Sequence, residues 1–295
     1  MTTEQVPLLK KLHGPPHLRL KELLALHGPP AQAFRINPEK RTLITGAGGT
    51  RLTFAPYSIT HASGQPVAGM AEIILKEVFT QGDMILADRP TASEDRLMES
   101  GGQLMIYASQ KQQLLALSQP LEVDLPVRRH LRNPVAMRLF VGGVSTFLAY
   151  SYGSNFDWRM ASEKPVRIHK IEGRKYYNFQ LWEFNWADCD FFVAQRSARC
   201  MVTARPISTL EKFDNLLAYL VFKDVHAVAR MYPGINGCTA VNIPEKLSAT
   251  AHLVGLSNGQ LYYGNGFIQR ARDKLVSVKM QPVQERELIG LLREL

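Results

Sequence analysis

No stretch of about 18 consecutive apolar residues occurs in this chain, so no segment reads as a membrane-spanning helix. The N-terminus, MTTEQVPLLKKLHGPPHLRLK, lacks the succession of charge, apolar core and small-residue cleavage site that marks a secretion signal. A cytoplasmic protein is therefore expected, released only as part of a larger particle. Cysteine is scarce: Cys189, Cys200 and Cys238 are odd in number and widely spaced, which excludes a disulfide framework and a zinc site and leaves buried, reduced thiols. The 8 histidines include no His-Glu-x-x-His. The only pair four apart, His13 and His17, is separated by Gly14-Pro15-Pro16, which breaks the helix that would align them. No Gly-Lys-Ser/Thr occurs either. Neither a cofactor nor a metal is expected.

What is present begins with size and charge. The 295 residues, 45% apolar, suffice for one large domain or two ordinary ones with a sizeable core. Lys and Arg outnumber Asp and Glu by 35 to 26, a net charge of +9. The excess clusters in three places: residues 1–41, the stretch VRRHLRNPVAMR with Arg128, Arg129, Arg132 and Arg138, and RSARCMVTAR with Arg196, Arg199 and Arg205. Such clusters steer acidic partners. No nucleic-acid-binding module accompanies them, so acidic protein neighbours are expected rather than DNA or RNA.

Two motifs point to catalysis or nucleotide binding and fail on context. TLITGAGGTRLTFAP places Gly46, Gly48 and Gly49 after a hydrophobic pair, as a phosphate loop would. Arg51 stands where a third glycine belongs, and the residues beyond it show strand alternation and Pro56 instead of a helix. The glycines read as a tight corner between two strands, with positive φ and close packing. Gly255-Leu256-Ser257-Asn258-Gly259 matches a nucleophile elbow in letters only. A strand comes after it, and the last histidine, His252, precedes the serine. Asn258-Gly259 is instead a type I′ hairpin signal.

The order of elements suggests a mostly β protein. Residues 1–33 form a helical arm in which Leu-His-Gly-Pro-Pro occurs twice, at Leu12–Pro16 and Leu26–Pro30, as helix-stop punctuation. Leu20, Leu23 and Leu24 share one helical face that docks either on the chain itself or on a partner. Residues 34–127 carry short strands with regular turns, the pattern of an antiparallel β-sandwich. Within them GGQLMIYASQ reads as a strand after a Gly-Gly turn. Residues 128–175 read as a linker. Residues 176–295 read as a second β-rich domain ending in an amphipathic helix from about Val283.

Three further groups could carry chemistry. Asp188 and Asp190, two apart on a strand, point to one face and could act as an acid–base pair or bind a metal. The aromatics from Tyr176 to Phe192 are core material or a stacking platform, with Trp182 and Trp186 as the platform candidates for sugar. The partner-binding candidates are Leu20, Leu23, Leu24, Arg128, Arg129 and Arg132.

GAGGTRLTFAPYSITHASGQPVAGMAEIILKEV resembles a ZU5-type β-sandwich module, through Gly48, Gly49, Leu52, Phe54, Pro56, Gly69, Ile73 and Leu75. The flanking PTASEDRLMESGGQLMIYAS resembles bacterial β-sandwich proteins that couple such a module to a second β-rich region. The resemblance implies a scaffold or interaction element and no enzyme. Some relatives cleave themselves at His-Phe-Ser; that tripeptide is absent, so no autoproteolysis is expected. The expectation is a structural or adaptor subunit of a larger bacterial assembly, such as a phage-tail-like contractile injection particle. The alternatives are a carbohydrate- or surface-binding module, and an enzyme built around Asp188 and Asp190.

Overall fold

A computed structural model of the chain describes residues 16–128, 131–144, 156–193, 197–208 and 212–295. The fold is mostly β, as expected: an antiparallel sandwich, a second β body and short helices near both ends. Strands are numbered along the chain. One sandwich sheet runs in the order β1 (Gln32–Ile36), β5 (Ala71–Val78), β7 (Arg96–Gln110), β15 (Trp186–Phe192), β11 (Arg138–Val144), β12 (Phe156–Met160). The other runs β13 (Arg167–Ile171), β14 (Arg174–Leu181), β10 (Leu121–Pro126), β3 (Arg51–Phe54), β2 (Thr42–Thr45). Short strands finish the edges: β4 (Ile59–Thr60) pairs with β9 (Ala116–Leu117), while β6 (Ala92–Ser93) and β8 (Gln113–Leu114) pair with the two ends of β7.

Alternation along these strands builds the core. Ile73 and Leu75 of β5 and Leu104 and Ile106 of β7 face Leu52, Phe54, Val123, Leu125 and Tyr177 from the opposite sheet. Each such side chain contributes about 1.5–3 kcal/mol relative to exposure. The Gly101-Gly102 pair does not precede a strand as a turn. It lies inside the long β7, where the register against β15 shifts between Asp188 and Asp190.

The sheet pairings redraw the expected boundaries. The stretch 128–175, read as a linker, supplies β11, β12 and β13 to the sandwich. Strands β14 and β15, assigned to the second domain, also belong to the sandwich, because β14 pairs with β10 and β15 with β7. The second body begins only at Arg199. Its single sheet has the order β22 (Leu275–Lys279), β16 (Arg199–Ile207), β19 (Gly237–Pro244), β18 (Val228–Gly234), β17 (Asn215–Phe222), β20 (Ala249–Ser257), β21 (Gln260–Ile268), β23 (Gln281–Val283). Only β16 and β22 run parallel. Strand β22 then lies against β21 and nearly closes the sheet into a barrel. Gly264 and Gly266 permit this approach: a Cβ at Gly264 would sit 2.4 Å from the Lys279 carbonyl oxygen, and one at Gly266 2.7 Å from a Val276 methyl. The β20–β21 connection is the expected two-residue hairpin, with Ser257 opposite Gln260 and positive φ at Asn258 and Gly259.

A helical layer joins the two bodies. Helices α1 (Pro16–Leu26), α2 (Gln81–Leu86) and α3 (Glu285–Arg293) pack Leu20, Leu24, Leu86, Leu288, Ile289 and Leu292 onto the outer wall of the barrel at Leu217, Tyr219, Val254 and Leu261. Proline opens α1, and Gly28-Pro29-Pro30 follows its end, as the punctuation requires. Direct hydrogen bonds reinforce the joint. The Thr91 N–H donates to the Val228 carbonyl (2.7 Å), and the Gln81 amide donates to the carbonyls of Phe222 (2.9 Å) and Ala227 (2.8 Å).

Candidate functional site

The glycine loop between β2 and β3 does bind an anion, and the anion is the chain's own. The Glu77 carboxylate accepts the backbone N–H groups of Gly48 (2.7 Å) and Thr50 (3.0 Å) and the Gln32 amide (2.9 Å). Successive N–H groups in such a loop form a concave anion nest. A Cβ at Gly48 would lie 2.3 Å from the Phe79 ring and 2.9 Å from Glu77 Oε1, so close approach explains the glycine; Gly49 supplies the positive φ, +96°. The loop is a filled corner.

The acid pair is equally closed. Asp188 and Asp190 share one face of β15 with Trp186 and Phe192, while Ala187 and Cys189 enter the sandwich core. Both carboxyls are buried. Ser100 Oγ donates to Asp188 Oδ1 at 2.7 Å, but Asp188 Oδ2 and both oxygens of Asp190 meet no donor. Burial pushes both carboxyls above the usual range; at Asp190 the Asp188 charge pushes further in the same direction. A proton held by one of the two carboxyls would give the pair a donor and relieve the repulsion between them. Ser100 also ties the pair to the barrel: its N–H donates to the His226 carbonyl (2.9 Å), and its own carbonyl lies 2.8 Å from His226 Nδ1. Glu99, buried beside it, is likewise pushed up by burial, against backbone donors from His226 and Arg132. Among the described residues no group of three or more His, Cys, Asp or Glu could hold a metal ion. The cysteines are free and buried, Cys189 in the sandwich and Cys200 and Cys238 in the barrel.

The two platform tryptophans part company. Trp182 stands 70% exposed on the β14–β15 turn. Trp186 is half-buried edge-on against Phe156 and Trp158, with the Arg89 guanidinium 4.5 Å above its ring and 4.0 Å above that of Phe156. They form no common stacking face, because the turn between them reverses the chain. A cleft of about 910 Å³ beside β12 reaches Trp158 and Phe192, but both rings are buried, and Arg96 covers Phe192 at 3.8 Å.

Among the partner-binding candidates, Leu20 and Leu24 are corrected. Both are buried in the helical layer, so that apolar face is spent within the chain, with Leu23 packed at its margin. Arg128 lies over the Phe79 ring at 3.9 Å near Glu77, and burial lowers its pKa. Arg132 is exposed, while its N–H meets the Glu99 carboxylate at 3.3 Å. Arg129 falls outside the described residues.

A surface that sequence reasoning missed lies on the barrel. Val202 and Ala204 of β16, Val278 of β22 and Ile268 of β21 point into the barrel core. Strict alternation then turns Met201, Arg205 and Ile207, Leu275 and Lys279, and Phe267 outward. Met201, Ile207, Phe267 and Leu275 are each more than half exposed. Ile235, fully exposed, tips the adjoining β18–β19 hairpin, whose Asn236 carbonyl lies 3.5 Å from Arg205 Nε. The signal was the alternation in CMVTARPI, but which parity faces out depends on the barrel's closure. The geometry thus defines a two-body, mostly β protein whose barrel is sheathed by helices on one flank and, among the described residues, bare on the other. Neither a family model, nor a curated protein, nor a solved structure matches this chain.

Proposed function

We propose that this chain is a non-enzymatic structural or adaptor subunit of a larger protein assembly. The bare flank of the barrel carries the reading. Apolar side chains that stand together in solvent mark contact surfaces, and here they share a face with exposed cations. The hydrogen-bonded joint between the two bodies supports a scaffold role, since it holds that flank in fixed relation to the sandwich. The sealed state of the acid pair supports it as well: a substrate would have to cross the packed sheet to reach Asp188 or Asp190. The resemblance to ZU5-type modules adds the same expectation. A contractile injection particle is one assembly of this kind.

The test is native purification from source cells with velocity sedimentation and mass spectrometry of each fraction. The chain is expected in fractions far heavier than its own 33.2 kDa. Recovery as a free monomer throughout would overturn the proposal.

A further inference from the structure

The covered flank of the barrel shows what the bare one would accept. On the covered side the wall offers apolar residues with a cation, Arg230, set among them. The helical layer answers with leucines and one acid. Asp88, just past α2, pairs with Arg230, accepts the Tyr219 hydroxyl at 3.1 Å and meets Lys21 Nζ at 3.2 Å. The same combination of apolar residues and cations recurs on the other side. Met201, Ile207, Leu275 and Phe267 are interleaved with exposed Arg205 and Lys279. No strand from β16 to β23 contains an aspartate or glutamate that could satisfy those cations from within the sheet.

We propose that this flank docks an acidic amphipathic helix of a partner protein. The inference rests on the adaptor reading and adds the chemistry of the partner. Length is consistent with it. At about 3.3 Å per residue, the outward row from Met201 to Ile207 spans about 20 Å. A helix rising 1.5 Å per residue covers that with about 13 residues, close to the 11 of α1 on the covered side. Leucines on one face would seat between Met201, Leu275 and Phe267, and glutamates along its margins would meet Arg205 and Lys279. A helix with a lysine margin would meet like charge at every one of these positions.

The experiment titrates the full chain into a fluorescein-labelled 18-residue Leu/Glu amphipathic peptide and, separately, its Leu/Lys counterpart, by fluorescence anisotropy. The Leu/Glu peptide is expected to bind at least ten-fold more tightly than the Leu/Lys peptide. Its affinity should fall at least ten-fold in Arg205→Glu/Lys279→Glu and in Met201→Asp, whose melting curves should match the parent because the changed side chains are exposed. Amide exchange should slow in β16 and β22 when the peptide is added. Equal binding of the two peptides, or binding untouched by either variant, overturns the proposal. So does flotation with phosphatidylglycerol vesicles that Met201→Asp abolishes while the Leu/Glu peptide goes unbound, since the flank then faces a lipid surface. A dimer in sedimentation equilibrium that Met201→Asp dissociates also overturns it, in favour of a second copy. Retention of the chain in a heavy particle without Leu/Glu binding rejects the partner chemistry and leaves the adaptor reading standing.

Discussion

In the sandwich, strands carry Glu77, Glu99, Asp124, Asp188 and Asp190, all buried, whereas the barrel strands from β16 to β23 contain no carboxylate at all and bury His252 instead. The two bodies therefore meet the cost of interior polarity in different ways. The sandwich supplies donors of its own to Glu77, from the glycine-loop N–H groups, and to Asp124, from Asn178 at 2.9 Å and His169 at 2.8 Å, while Glu99 also takes the His226 N–H of the barrel. The barrel has little to satisfy within its strands, and its buried cation, Arg230, finds a counter-charge across the joint at Asp88. At the joint Asp88 thus balances cations from both sides, Arg230 of the barrel and Lys21 of α1.

Breaking that complementarity should have the largest effect. Asp88→Asn leaves Arg230 buried without a counter-charge and releases Lys21 as well. Removing one member of a buried pair costs about 3–5 kcal/mol, read as a lower urea midpoint. Arg230→Met added to Asp88→Asn should recover much of the loss, because the stranded charge is gone. A double variant as weak as the single one would show that the ion pair is not what holds the joint.

This asymmetry also explains which parts of the structure the sequence disclosed. Local signals were legible. Arg51 and Pro56 turned a phosphate-loop lookalike into a strand corner, and Asn258-Gly259 announced its hairpin. Non-local partners were not. Nothing near Gly48 says that Glu77, 29 residues on, fills the nest. Strands β11 to β13 were hidden because RLFVGGV holds two glycines and RIHKI three basic residues, and their strand character comes from pairing with β15 and β14. The helical stripe of α1 was visible, while its target, a barrel wall some 200 residues later, was not. The acid pair's common face was readable from its spacing, but its burial was set by the sheet partners on either side. The bare flank was the least legible feature, since only the closure of β22 against β21 decides which residues of β16 face water.

The acid pair sharpens the comparison through pH. Because burial raises both carboxyls, the folded state holds protons that the unfolded chain has released above about pH 4. The unfolded state then binds fewer protons than the folded one, so this pair's contribution to stability falls as pH rises through that window. Asp190→Asn should reduce the slope, leaving the part that the burial of Asp188 and Glu99 sets. With an amide that donates to Asp188, it should also stabilise the chain at pH 8 by about 2 kcal/mol, the scale of relieving an unsatisfied buried group. The check is thermal unfolding at pH 5 to 8. An unchanged slope in the variant would show that the acid pair does not set this pH dependence.

The barrel should show the opposite slope, with a smaller effect. His252 Nδ1 lies 2.8 Å from the Tyr263 hydroxyl on the neighbouring strand, and burial lowers its pKa to about 4. The unfolded chain takes up a proton near pH 6.5 that the folded barrel refuses until much lower pH. Here the unfolded state binds more protons, so stability is lost as pH falls below the unfolded value. At pH 5.5 the penalty amounts to about 1 kcal/mol. His252→Gln cannot take up that proton and should hold barrel stability level between pH 7 and pH 5.5. Amide exchange, corrected for intrinsic rates and followed separately on β15 and β20, distinguishes the two bodies where they open independently. Protection should rise on β15 and fall on β20 as the parent is acidified, and only the β20 trend should vanish in His252→Gln. Parallel trends on both strands would mean that the joint couples the bodies into one cooperative unit, and the opposing proton uptake would then have to be sought in the global unfolding curve, where His252→Gln should still tilt the pH profile toward the acid side.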